Sequence, residues 1–243
     1  ILMNDGANTF TTYDFLPSSE LPYLHSLGLI DADLDGDLDL LAIQEENDDQ
    51  FMLYLNNGMN DEGQPEFGQV YTFYRSYGGI SASRIIAIAD YDDDGDQDVY
   101  VGRKYGYNWF FENQTLTGSA GDVTYHSNPE PFFIEKAVPL GIADFEVNDI
   151  GSMGYGAAWG DYDNDQDFDL YLANWGVNRL YNNDDNTFTN VADVQNVESE
   201  ELSNGVSWGD YNNDGMLDLW TSATLVKVLS SLLYSRFTPQ LAR

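Results

Sequence analysis

The chain has 243 residues, 42% of them hydrophobic and 14% aromatic, which is ample material for a core and excludes a disordered polymer. Its 42 Asp and Glu against 9 Lys and Arg give a formal net charge of -33, which argues against nucleic acid as a partner, since phosphate binding needs a basic surface. The absence of cysteine removes disulfides, thiolate nucleophiles and Cys-type zinc sites.

The chain opens Ile1-Leu2-Met3-Asn4-Asp5-Gly6, with neither a basic start nor an apolar core, so no signal peptide is expected in this segment. No apolar run approaches the roughly 20 residues that a membrane span needs. Four acidic loops then follow, starting at 31, 90, 161 and 210 and therefore 59, 71 and 49 residues apart. Such spacing belongs to repeat architectures. Before each loop lies a short run of small and apolar residues, among them Leu27-Gly28-Leu29-Ile30 and Gly156-Ala157-Ala158-Trp159-Gly160, and after each comes a β-rich run such as Asp169-Leu170-Tyr171-Leu172. Each loop is thus expected to join the two strands of a hairpin. A third run (Phe51 to Asn57, Trp109 to Asn113, Arg179 to Asn183) and a final aromatic such as Phe67 or Phe188 make four strands per period.

A period of this length with four antiparallel strands predicts an all-β fold, a segment of a β-propeller, with small residues on the crowded first strand. Residues 2–11 align without gaps on residues 180–189, so the chain is expected to start in the second half of a blade. The expected organisation is a half blade at 1–26, blades at 27–79, 80–149 and 150–203, the first hairpin of a further blade at 204–222 and an atypical tail at 223–243. About four blades make this a partial propeller. The tail carries Lys227, Arg236 and Arg243 and no acid. Its apolar residues recur at helical spacing, and it reads either as a short amphipathic helix for a membrane surface or partner, or as a segment foreign to the fold. In both readings it does not form propeller strands.

The loops carry the chemistry. In 31–39 aspartates stand at positions one, three, five, seven and nine (Asp31, Asp33, Asp35, Asp37, Asp39), with Gly36 at six. Alternation aims the side chains at positions one, three, five and nine toward one point. Carboxylates gathered around a small volume repel by several kcal/mol unless a hard divalent cation lies between them, and oxygen-only ligation with a glycine-enabled turn suits Ca2+ best. The pattern recurs in Asp90, Asp92, Asp94, Asp96 and Asp98, in Asp161, Asp163, Asp165, Asp167 and Asp169, and in Asp210, Asn212, Asp214, Met216 and Asp218. Nineteen of the 42 acids lie in these four loops, so much of the charge is ligand inventory. A helical calcium loop would need an acid at position twelve, where Ala42, Val101, Leu172 and Thr221 stand.

On these residues the units resemble FG-GAP/VCBS repeats, the blades of the integrin-α-type propeller, across residues 1 to about 222. The stretch from Gly156 through Asp165 to Asn183 is particularly similar to the ASPIC/UnbV-associated, cartilage-acidic-protein-like group. The resemblance implies Ca2+ ligation by the side chains at positions one, three, five and nine. It also implies a main-chain carbonyl ligand at position seven, from Asp37, Asp96, Asp167 and Met216. Two departures weaken the later sites: Gln166 replaces the glycine and Asn212 replaces an aspartate. The loops at 31 and 90 are therefore expected to bind most tightly.

The functional expectation is about four structural Ca2+ sites in a non-catalytic, secreted or cell-surface repeat protein that serves adhesion or binds a protein or glycan. Extracellular calcium loops typically have dissociation constants of roughly 10^-4 to 10^-3 M, too weak for the cytosol. The competing reading is the propeller portion of a secreted polysaccharide-acting or other hydrolytic enzyme, although no Ser-His-Asp set, H-E-x-x-H or separate acid pair is visible. His25 and His126 read as structural, and Asn113-Gln114-Thr115 is a low-specificity glycosylation triplet. Of the tryptophans, Trp109, Trp159, Trp208 and Trp220 are expected to pack between blades, and Trp175 is the one candidate platform for a sugar.

Overall fold

The computed structural model describes residues 2–4, 6, 9–13, 24–44, 50–74, 83–104, 106–117, 124–125, 132–144, 154–199 and 203–222. The expectation for the tail, and that for His126, lie outside these residues. The chain divides into two compact units, residues 1–101 with 110–135 and residues 102–109 with 136–243.

In chain order the strands are β1 (Leu2–Asn4), β2 (Phe10–Thr12), β3 (Leu24–Ile30), β4 (Asp39–Gln44), β5 (Gln50–Met59), β6 (Pro65–Tyr74), β7 (Ser83–Ala89), β8 (Asp98–Arg103) and β9 (Trp109–Asn113). They continue as β10 (Leu116–Thr117), β11 (Thr124–Tyr125), β12 (Phe133–Glu135), β13 (Gly154–Gly160), β14 (Asp169–Asn174), β15 (Arg179–Asp184), β16 (Thr187–Asn190), β17 (Val206–Gly209) and β18 (Asp218–Thr221). The fold is all-β. Three sheets have four strands, ordered β3-β4-β5-β6, β12-β9-β8-β7 and β13-β14-β15-β16, and three have two, β1-β2, β10-β11 and β17-β18. Each four-stranded sheet is a run of neighbouring antiparallel strands, the topology of a propeller blade. The second departs from strict succession because the hairpin β10-β11 is inserted between its third and fourth strands, which accounts for the longest sequence period.

In the first unit the middle strands are buried on both faces, so they read as continuous apolar runs. Leu40, Ala42, Met52 and Tyr54 form one cluster, closed by Leu24 and Phe67. Phe51 stacks on Phe111 with ring centroids 4.8 Å apart and meets Phe133 edge-on at 6.0 Å. The small residue on β3 has a packing reason, because a Cβ on Gly28 would come within 2.8 Å of Ile88 Cδ1 on β7. The β1-β2 hairpin pairs Leu2 with Thr12, Met3 with Thr11 and Asn4 with Phe10. That is one residue off the register of its sequence counterpart, where Asn182 opposes Thr189. The difference lies in the turn: Asp185 and Asn186 form a tight turn with φ 50° and 65°, whereas five residues separate β1 from β2.

The second unit is built around Tyr171, Ala173, Leu180 and Ala192, against which Tyr162, Val191, Val197, Val206, Trp208 and Leu219 pack. Trp208 of β17 lies over Gly160 of β13, donates its indole N–H to Ala158 O at 3.2 Å and meets Tyr171 edge-on. Trp220, expected between blades, is instead exposed and meets Tyr211 of its own hairpin edge-on. Among the described residues no helix is long and apolar enough to cross a membrane.

A Cβ on Gly160 would fall 2.7 to 3.1 Å from three atoms of the Trp208 ring, which is rigid and hydrogen-bonded. Overpacking of this kind costs about 1–3 kcal/mol. Gly160→Ala is therefore expected to lower stability by that amount in urea unfolding and to shift the tryptophan fluorescence of the folded state.

Candidate metal centre

The loops owe their shape to their own aspartates. Position one follows the first strand of each hairpin, and its carboxylate caps the loop's turn. Asp31, Asp90, Asp161 and Asp210 accept the backbone N–H of residue six at 2.9 to 3.1 Å, from Gly36, Gly95, Gln166 and Gly215. Position five turns onto position seven: Asp35, Asp94, Asp165 and Asp214 accept the N–H of Asp37, Asp96, Asp167 and Met216. Position nine closes the loop, since Asp39, Asp98, Asp169 and Asp218 accept the N–H of position two at 2.8 to 3.2 Å.

Two positions per loop are left-handed. Gly36, Gly95 and Gly215 have φ between 87° and 103°, and Gln166 adopts 85° in the same place. Position four is left-handed as well, in Leu34, Asp93, Asn164 and Asn213, with φ between 56° and 62°. Asp and Asn adopt this region at lower cost than leucine. The recurrent Asp or Asn at that position was the signal in the sequence.

A second support comes from the third strand. Asp39, Asp98 and Asp169 each accept the backbone N–H of an asparagine there, Asn56, Asn113 and Asn183, at 2.8 to 2.9 Å. The side chains of Asn56 and Asn183 donate to the carbonyls of Leu38 and Phe168 at position eight. Asn113 instead reaches Ala32 O in the neighbouring sheet's loop, where Thr115 Oγ1 also donates at 2.7 Å. Asn113 and Thr115 are 1% and 0% exposed, so the glycosylation triplet they frame is structural. These asparagines recur in sequence at the end of the third run, but repetition alone does not reveal that they support the loops.

Three loops gather acids closely enough to hold a metal ion. One carboxylate oxygen from each of Asp31, Asp33 and Asp39 lies within 4.8 Å of the others, and the same holds for Asp90, Asp92 and Asp94 and for Asp161, Asp163 and Asp169. Asp35, Asp98 and Asp165 stand outside these trios. At position seven, Asp96 is buried and accepts Leu116 N–H at 2.6 Å, and Asp167 accepts Asp185 N–H at 2.9 Å. Among the described residues loop 210–218 forms no such trio, and Asn212 accepts the N–H of Asp214 at 2.8 Å. Its Met216 side chain receives a hydrogen bond from Asn164 at 3.1 Å.

The donor set fits a hard cation. Asp31 Oδ1 and Asp33 Oδ1 are buried with no hydrogen-bond partner, an arrangement that is costly for a carboxylate unless a cation meets it. Burial, reinforced by neighbouring aspartates, pushes Asp39 up to about 6 and Asp92 and Asp169 up to about 7. Asp96 rises to about 8 and Asp98 well above its usual value for the same reason. Asp210 moves the other way, because the N–H of Gly215 and its neighbours stabilise its charge in an exposed loop.

Outside the loops, Arg84 Nη1 lies 2.9 Å from His25 Nδ1. Trp175 is exposed, stacks on Tyr155 at 4.9 Å and donates its indole N–H to Asn204 at 2.9 Å. Trp109 is buried with the Arg103 guanidinium 4.1 Å from its ring centre.

The FG-GAP-like repeat matches residues 31–101 and 161–221, more than half of the chain, and each match begins at position one of an acidic loop. The chain belongs to this family of repeat proteins. No curated protein matches it.

Two outcomes follow from the loop geometry. Replacing a strained left-handed residue by one that tolerates the conformation, as in Leu34→Asn or Gln166→Gly, is expected to stabilise the protein by about 1 kcal/mol in denaturant titrations. The second concerns pH. A carboxyl whose folded pKa is raised above its unfolded value of 3.8 holds its proton more tightly in the folded chain, so its contribution is full below about 4 and is lost as pH rises through about 6 to 8. In chelator, melting temperature is therefore expected to fall between pH 5 and pH 8. A flat profile there would show that the loop acids are not desolvated.

Proposed function

We propose that the chain is a calcium-stabilised, non-catalytic binding segment of an extracellular FG-GAP-like repeat protein whose partner is a protein or a glycan. The observation that carries this reading is the trio Asp31, Asp33 and Asp39, two of whose buried oxygens lack a hydrogen-bond partner, together with its recurrence in two further loops. Ligands from oxygen alone, on an irregular loop rather than in an octahedral cage, favour Ca2+ over Mg2+. An extracellular setting is supported by the affinity typical of extracellular calcium loops, roughly 10^-4 to 10^-3 M, at which they fill at millimolar and not at cytosolic calcium. The exposed Trp175 face, held by Tyr155 and Asn204, supports a glycan among the candidate partners.

Calcium at about ten times its dissociation constant contributes about 1.4 kcal/mol per site, so the three loops that form a trio would supply roughly 4 kcal/mol if independent, close to the ~5 kcal/mol lower end of an ordinary domain's whole stability. Melting temperature is expected to fall sharply in excess EDTA, to recover with Ca2+ and to recover poorly with Mg2+. An unchanged melt in EDTA would sink the proposal. Glycan and protein arrays probed with and without EDTA, beside an activity screen on acidic polysaccharides, test the binding role against a hydrolytic one.

A further inference from the structure

Loops 31–39 and 90–98 lie in the same unit, and one short turn, residues 113–116 between β9 and β10, is bonded to both. Toward loop 31–39, Asn113 Nδ2 and Thr115 Oγ1 both donate to Ala32 O, at 3.2 and 2.7 Å. Toward loop 90–98, the N–H of Asn113 donates to Asp98 at 2.8 Å and that of Leu116 to Asp96 at 2.6 Å. Thr115 N–H fixes the shape of the turn by donating to Asn113 Oδ1 at 3.1 Å. Ala32, Asp96, Asp98, Asn113 and Thr115 are each at most 1% exposed, so water does not compete for these bonds.

At both ends the bonds reach acids of a trio. Ala32 stands between Asp31 and Asp33 and donates its own N–H to Asp39 at 2.8 Å, so it is joined to every member of the first. Asp96 donates its N–H to Asp94, a member of the second, at 3.1 Å. In the matched strands the asparagine side chains serve their own sheets, Asn56 donating to Leu38 O and Asn183 to Phe168 O. We propose that the metal sites of loops 31–39 and 90–98 fill cooperatively through turn 113–116, an inference that rests on the calcium reading above and goes beyond it. Closing the first trio on a cation fixes the peptides on either side of Ala32, and with them the carbonyl that orients Asn113 and Thr115. The same turn supplies the N–H groups that hold Asp98 and Asp96, so less backbone is left to order in the second loop. An ordering cost met at one site is not met again at the other, which makes the coupling positive. It is also reciprocal, because linkage requires each ion to raise the affinity for the other by the same factor.

Two glycine amides report the sites separately, since Gly36 N–H donates to Asp31 and Gly95 N–H to Asp90. In the full chain carrying isotopically labelled glycine, a Ca2+ titration followed by NMR is expected to give curves at both amides steeper than a single-site isotherm. Asp33→Ala should raise the Ca2+ midpoint at Gly95 by about fivefold or more, and Asp92→Ala should do the same at Gly36. Thr115→Val removes the hydroxyl donor and keeps the shape of a fully buried side chain. In that background the effect of Asp33→Ala on Gly95 should shrink to about twofold or less. The steepness in the unmodified chain, and its reduction in Thr115→Val, are read with every loop intact. Single-site curves at both amides, or a Gly95 midpoint that ignores Asp33→Ala, would overturn the coupling and leave the calcium reading standing. An undiminished effect in the Thr115→Val chain would overturn the part assigned to the turn. No response of either amide to millimolar Ca2+ would overturn the calcium reading and the coupling together.

Discussion

Repulsion among desolvated carboxylates is the constraint on which the rest of this structure depends. Each loop connects the first two strands of a sheet, so the acids are fixed by the same hairpin register that pairs Ile30 with Asp39 and Gly160 with Asp169. The backbone answers part of the charge through N–H groups directed at positions one, five and nine. It does not answer all of it, as the raised protonation of Asp39, Asp92 and Asp169 records. A cation held by these acids would supply the remainder, and in doing so would tie first strand, second strand and loop into one unit.

That unit extends outward through asparagine. Position nine accepts from the third strand, so the metal loop and the middle of the sheet share a hydrogen-bond network. In the first unit the network also crosses between sheets, because Asn113 and Thr115 both hold the carbonyl of Ala32 at position two of the preceding loop. Direct hydrogen bonds thus join loop 31–39 to the next sheet, and a metal gained or lost in that loop would act on the packing of that sheet through them. Loop 210–218 is the contrasting case, with Asn212 accepting the N–H of Asp214 and the Asp210 carboxyl held below its usual range by the N–H of Gly215 and its neighbours.

The all-β class, the four-stranded repeat and the left-handed turn at Gln166 were legible because each rests on local spacing: acids at alternate positions, small residues before them and β-rich runs after. What was not legible depends on contacts between distant residues. The burial of Asn113 beneath a neighbouring loop cannot be seen in a triplet that also fits a glycosylation signal. The exposure of Trp220 depends on how many strands flank its hairpin, which pattern does not report. Sequence alignment also missed the one-residue offset of β1-β2, because it matched the strands while the turn chose a different length. Within the site, the carboxylates that lie within 4.8 Å of one another form a trio in three loops, at positions one, three and five in loop 90–98 and at one, three and nine in the other two, a difference that the shared spacing does not report.

The central claim is that a calcium ion lies between the loop carboxylates. Diffraction from crystals grown in millimolar Ca2+, recorded at a wavelength where calcium scatters anomalously, tests it most directly. The account predicts a peak among Asp31, Asp33 and Asp39 at roughly 2.3–2.6 Å from a carboxylate oxygen of each. Loops that keep this backbone geometry in millimolar Ca2+ but show no anomalous peak at any of the three trios would contradict it.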